Sequence, residues 1–142
     1  MAKDFKTLVR MRKWALDEKQ RELGEMLGVL GNLEAEKEAL EQAVLAEQKV
    51  AAENPELAGF AYGGFANAVI AEREAITKMI AEQEEKIDVF REEVADAFKE
   101  LKTAEIAERN RLEAERAEEE KKEQDELDEI GMRSVTRDDG LV

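Results

Sequence analysis

The sequence predicts an all-α protein: a two-helix antiparallel coiled-coil hairpin with a longer second helix and a disordered C-terminal tail. Three observations carry that expectation. Pro55 is the single proline among 142 residues. Apolar residues recur at alternating spacings of three and four on both sides of it, the pattern of a coiled-coil seam. The composition has 41% charged residues, 5% aromatics and neither Cys nor His, which suits helices that bury a seam and is poor for a compact core.

Pro55 cannot sit inside a helix, because its ring clashes with the preceding turn and it has no N–H to donate. Asn54 can cap a new helix, Pro55 fits the first helical position, and Glu56 favours the positive end of the dipole. A single hairpin is therefore expected over 1–131. Helix 1 is placed at about 3–52, the turn at about 53–59, and helix 2 at about 60–130, with 55 as an alternative start. Gly131 is a natural helix stop, and 132–142 reads as a disordered tail.

In the first arm one seam position holds Ala2, Val9, Leu16, Leu23, Leu30, Lys37, Val44 and Ala51. The other holds Phe5, Arg12, Lys19, Met26, Leu33, Leu40 and Glu47. Gly24, Gly28 and Gly31 fall inside the helix, each costing about 1 kcal/mol relative to alanine, so a softer stretch is expected there.

In the second arm Tyr62, Ala66, Val69, Arg73, Ile76, Ile80, Gln83, Ile87, Phe90, Val94, Ala97, Leu101 and Ala104 continue the spacing. A chain that doubles back at Asn54–Pro55 pairs residues whose numbers sum to about 109 or 110. That rule sets Leu40 opposite Val69, Leu33 opposite Ile76, Leu30 opposite Ile80, Leu23 opposite Ile87, Leu16 opposite Val94 and Val9 opposite Leu101. A slip of one residue destroys all six matches. Two layers are weak. Lys37 meets Arg73, and both are expected to snorkel outward to Glu34, Glu36, Glu72 or Glu74. Met26 meets Gln83, whose amide needs a partner or water.

Beyond about residue 107 the second arm outruns the first. Glu113 to Glu129 carries ten acidic and three basic residues, a net of −7, and an overhang of about 20 residues projects roughly 30 Å. The opposite sign marks the amino-terminal stretch, where Lys3, Lys6, Arg10, Arg12, Lys13, Lys19 and Arg21 exceed Asp4, Asp17, Glu18 and Glu22 by three.

Several classes are disfavoured. The net charge of −14 leaves no broad basic face for nucleic acid. No apolar run approaches the roughly 20 residues of a membrane span, and the first residues lack the apolar core of a secretory signal. Absent cysteine fits a cytosolic protein. Zinc ligands of the His or Cys type, thiol nucleophiles and imidazole bases are missing. Gly63-Gly64 lacks the lysine and preceding strand of a phosphate loop, and paired carboxylates such as Glu84-Glu85 read as solvated surface. No catalysis and no cofactor or metal are expected, and the free chain is expected to be a monomer.

Binding surfaces are the better candidates. Trp14 falls on the outer face of its heptad among Arg10, Lys13 and Asp17, the composition of an interface hot spot. It can equally lie flat on its own helix or pack against the acidic overhang. Phe60, Tyr62 and Phe65 fall within six residues, too many rings for a two-helix seam, so one is expected to close the hairpin tip, and whether another faces a partner is left open by the spacing. Ile70, Phe98 and Ile106 lie off the seam, as scattered apolar surface residues often do.

Together these features resemble the flagellar export stalk protein (FliJ) family. The resemblance covers essentially the whole chain. It rests on Phe5-Lys6-Thr7-Leu8 at the start, Tyr62-Gly63-Gly64-Phe65 opening the second arm, and Glu123-Gln124-Asp125-Glu126-Leu127-Asp128-Glu129 near the end, in that order and spacing. It implies an antiparallel coiled coil similar to the shaft of rotary ATPases, inserted into the hexameric ring of the flagellar type III export ATPase. It further implies contact with the membrane-embedded export gate and a role in recycling export chaperones, at the inner face of the cell membrane. The family's gate-contacting surface matches Leu40, Phe65 and Val69 here, with Ala43 and Glu47 where the family can show tyrosines. By spacing alone Leu40 and Val69 are seam residues. Two other classes compete: a holdase chaperone resembling a prefoldin subunit, for which Ala51–Phe65 offers no strands, and a long dimeric scaffold, which the single-chain register disfavours.

Overall fold

A computed structural model describes the backbone of residues 2–140 and the side-chain surroundings of 5–56 and 63–136. Two helices account for it: α1, Ala2–Glu53, and α2, Pro55–Gly140, which pack against each other, with no strand among the described residues. Asn54 alone separates them, its N–H donating to the Val50 carbonyl at 3.1 Å. Pro55 takes the first helical position, where a missing N–H costs nothing, and Glu56 lies in the first turn.

Contacts divide the chain into two units, one of Ala15–Ala97 and one of Met1–Trp14 with Phe98–Val142. In the first unit the buried residues are Leu16, Leu33, Val69, Ile87 and Ala97, all expected seam positions, and Ile87 is the most enclosed at 2% exposure. Leu23, Leu30, Ile76, Ile80 and Val94 are half-buried, as a seam covered on one side only requires. The register is visible in two cross-helix contacts. The Lys19 ammonium lies 5.5 Å from the Phe90 ring centre, and the Gln83 side chain reaches the Met26 backbone; both pairs sum to 109. Glu47, expected in the seam, is exposed.

Both weak layers are resolved across the helices. The Gln83 amide donates to the Met26 carbonyl at 3.0 Å. Arg73, itself exposed, pairs with Glu41 at 3.2 Å, and not with any of the four glutamates expected to receive it. Glu41 lies one turn beyond Lys37 on α1, so Arg73 turns away from its like-charged neighbour and toward the carboxylate of the opposite helix.

In the second unit Leu101 and Ala104 are buried, and Phe5, Leu8 and Val9 are half-buried. Continuing the α2 seam count past Ala104 gives Glu108, Arg111, Glu115, Glu118, Lys122, Asp125 and Glu129, a charge at every position. The apolar stripe has ended, and residues 112–136 are all exposed. Contact with α1 extends a little further than expected, since Glu108 and Arg111 are still half-buried. Gly131 does not stop the helix, which continues to Gly140. Gly131 does not adopt the left-handed conformation of a glycine C-cap, and local bonds carry the helix past it. Arg133 pairs with Glu129 at 2.9 Å, and the Thr136 hydroxyl donates to the Met132 carbonyl at 2.8 Å.

Candidate functional site

The candidate sites among the described residues are surfaces and open grooves. In the unit holding the chain ends, the heptad places Val9 and Arg12 toward α2 and turns Arg10, Met11, Lys13 and Trp14 outward. Trp14 is 66% exposed and Met11, one turn earlier on the same face, is 62% exposed. Exposure to that degree shows that Trp14 is not packed under the acidic overhang. Arg12 on the inner side is held by Glu100 at 2.8 Å, whereas exposed Arg10 and Lys13 make no ion pair with any described residue. The result is a small apolar patch among unneutralised cations, the surface type in which tryptophan and arginine dominate binding energies.

On α2 of the same unit, Arg111 collects the last inward-facing charges. Its guanidinium binds Glu108 through two nitrogens, at 2.8 and 3.3 Å, and Glu115 through a third at 2.8 Å. The same group lies 6.0 Å from the centre of the Phe5 ring. Hydrogen bonds to Glu108 raise the Arg111 pKa above its already high ordinary value and outweigh the opposing effect of burial. The cluster was not legible from motifs, although counting the seam two positions past Ala104 leads to it. Further along α2, Leu127 near the end of the acidic stretch and Ile130, Met132 and Val135 beyond it are 61–72% exposed.

The Ala15–Ala97 unit carries the second candidate. Leu40, Val44, Leu45 and Val69 line an open groove whose rim is the Glu41–Arg73 ion pair. Val69 is 8% exposed and forms the floor, Leu40 is half-buried on the wall, and Leu45 stands 57% exposed at the edge. Phe65, one turn before Val69, is half-buried. The fold thus brings Leu40 and Val69 together with Arg73, a seam position by spacing, and adds Leu45, which spacing had not marked. The side chains of Phe60 and Tyr62 lie outside the described residues.

Among the described residues no His, Cys, Asp or Glu group is arranged to hold a metal ion. No helix among them is long and apolar enough to cross a membrane.

Two long helices joined through a narrow apolar seam, with their distinctive chemistry on exposed faces, define a coiled-coil hairpin. The chain belongs to the flagellar FliJ protein family, whose sequence profile matches residues 1–140. It is accordingly a component of the flagellar export apparatus, in a family of non-enzymatic export components. No curated relative and no solved structure matches the chain significantly.

Proposed function

We propose that this protein is a shaft of the flagellar type III export apparatus, binding the export ATPase ring and coupling it to the membrane export gate. Supporting this is the α2 segment 112–136, helical and exposed at every position, with charges where a seam would continue. A helix left without a partner over that length is a surface for another protein. Its charge, and the opposite charge around Trp14, would speed and orient entry into a ring of complementary potential.

The groove of Leu40 and Val69 is proposed to meet the gate. Leu40 and Phe65 are accessible enough to touch it, while Val69 acts by supporting the groove floor. Export chaperones are proposed as further partners, exchanged at the inner face of the cell membrane.

The deciding experiment measures the hydrolysis rate of the matching export ATPase with and without this protein, alongside co-sedimentation of the two. Binding with stimulation is expected. Neither effect, from a preparation shown to be helical and monomeric, would reject the shaft and return the function to a holdase or scaffold role.

A further inference from the structure

We infer that Phe5, Glu108, Arg111 and Glu115 form a clasp that fixes where α1 joins α2, and that the first turns of α1 unzip as a unit when the clasp opens. Arg111 and Glu108 are 15% and 13% exposed, although every residue from 112 to 136 is exposed. The Arg133–Glu129 pair on the same helix is 73% and 64% exposed, so helical spacing alone does not bury such a pair. Arg111 reaches across to α1 at one point, the face of the Phe5 ring, in a cation–π contact.

Packing inside the clasp is thin. Leu8 and Arg12 of α1 and Ala104 and Ala107 of α2 line an open cavity, because alanine is too small to fill the space between the helices. The side chain of Arg12, at a seam position, is 43% exposed and bound to Glu100. A helix end held by few apolar contacts opens before the rest of the fold. Here the clasp closes the seam beyond those contacts: Glu108 and Glu115, both on α2, hold the forked Arg111 guanidinium in place, and the Phe5 ring of α1 lies 6.0 Å from it. Arginine stays charged at any ordinary pH, so the clasp opens through loss of its carboxylate or aromatic partners and not through loss of its proton. Opening uncovers Leu101 and Ala104, which are buried, and more of the half-buried Phe5 and Leu8.

Hydrogen exchange on the full-length protein tests this, comparing wild type with Arg111→Gln, Phe5→Ala and the control Arg133→Gln. Arg111→Gln is expected to speed exchange of the amides of residues 6–12 about tenfold or more, leaving those of 23–33 unchanged. Phe5→Ala, which leaves every ion pair of α2 in place, is expected to do the same, and Arg133→Gln to do neither. The inference is overturned if either clasp variant leaves residues 6–12 at the wild-type rate. Acceleration of all segments alike would overturn it too, because the cluster would then support global stability without acting as a local joint.

Discussion

The side-chain amide of Gln83 donates a 3.0 Å hydrogen bond to the backbone carbonyl of Met26, tying a polar seam residue of one helix to the main chain of the other. The Met26 carbonyl also faces the amide four residues on in its own helix, so it remains satisfied if Gln83 is removed. Replacing Gln83 with leucine therefore strands no buried polar group. Gln83→Leu is expected to be neutral or stabilising by about 1 kcal/mol, and Gln83→Ala to cost about 1 kcal/mol. Urea denaturation followed by helical circular dichroism distinguishes the two. A loss of more than about 2 kcal/mol in the leucine variant would mean that the bond sets the register.

Gly24, Gly28 and Gly31 have open space around them, since an added methyl at any of the three meets nothing within 4 Å. Packing does not demand them in the isolated chain. Each change to alanine is expected to stabilise by up to about 1 kcal/mol through helix propensity, read as a rise in denaturation midpoint. No gain would mean that these glycines are matched by a contact the isolated chain does make.

Ile87 is the most enclosed of the described core residues, at 2% exposure. Ile87→Ala is expected to cost about 2–4 kcal/mol. Met79→Ala, at a residue 50% exposed on the same helix, is expected to cost less than about 1 kcal/mol. Equal losses at both positions would contradict the seam assignment.

Trp14, 66% exposed, is the single tryptophan and so reports on its own surroundings. Its emission is expected to match that of a hydrated indole in the free protein and to shift to the blue on adding the export ATPase. Trp14→Ala should leave helicity intact and weaken that association about tenfold or more, as loss of a hot spot does. Lost helicity instead would make Trp14 a packing residue.

Much of this molecule is legible in one dimension. Pro55 marks the break because its ring and missing N–H are local facts, and the structure leaves only Asn54 between the helices. Ile87, Leu33, Leu16 and Val69 are found buried where the three-four spacing set them, because helical periodicity converts sequence distance directly into a face. The helix end was less legible. Gly131 can stop a helix only by adopting the left-handed conformation, which it does not do here.

The sequence by itself determined the two helices, their antiparallel register and the heptad face that holds Trp14, since each follows from backbone chemistry or from a repeat. Only the tertiary structure decided where the polar seam residues find partners. Arg73 chose Glu41 over four nearer-seeming glutamates, Gln83 found a backbone carbonyl, and Arg111 came to lie over the Phe5 ring, bound to two carboxylates. It also decided that Leu40 and Val69 share a groove edged by Leu45. The physical reason is the same throughout. Long polar side chains choose among several acceptors within reach, and that choice depends on distances between two helices, which spacing along either one does not contain.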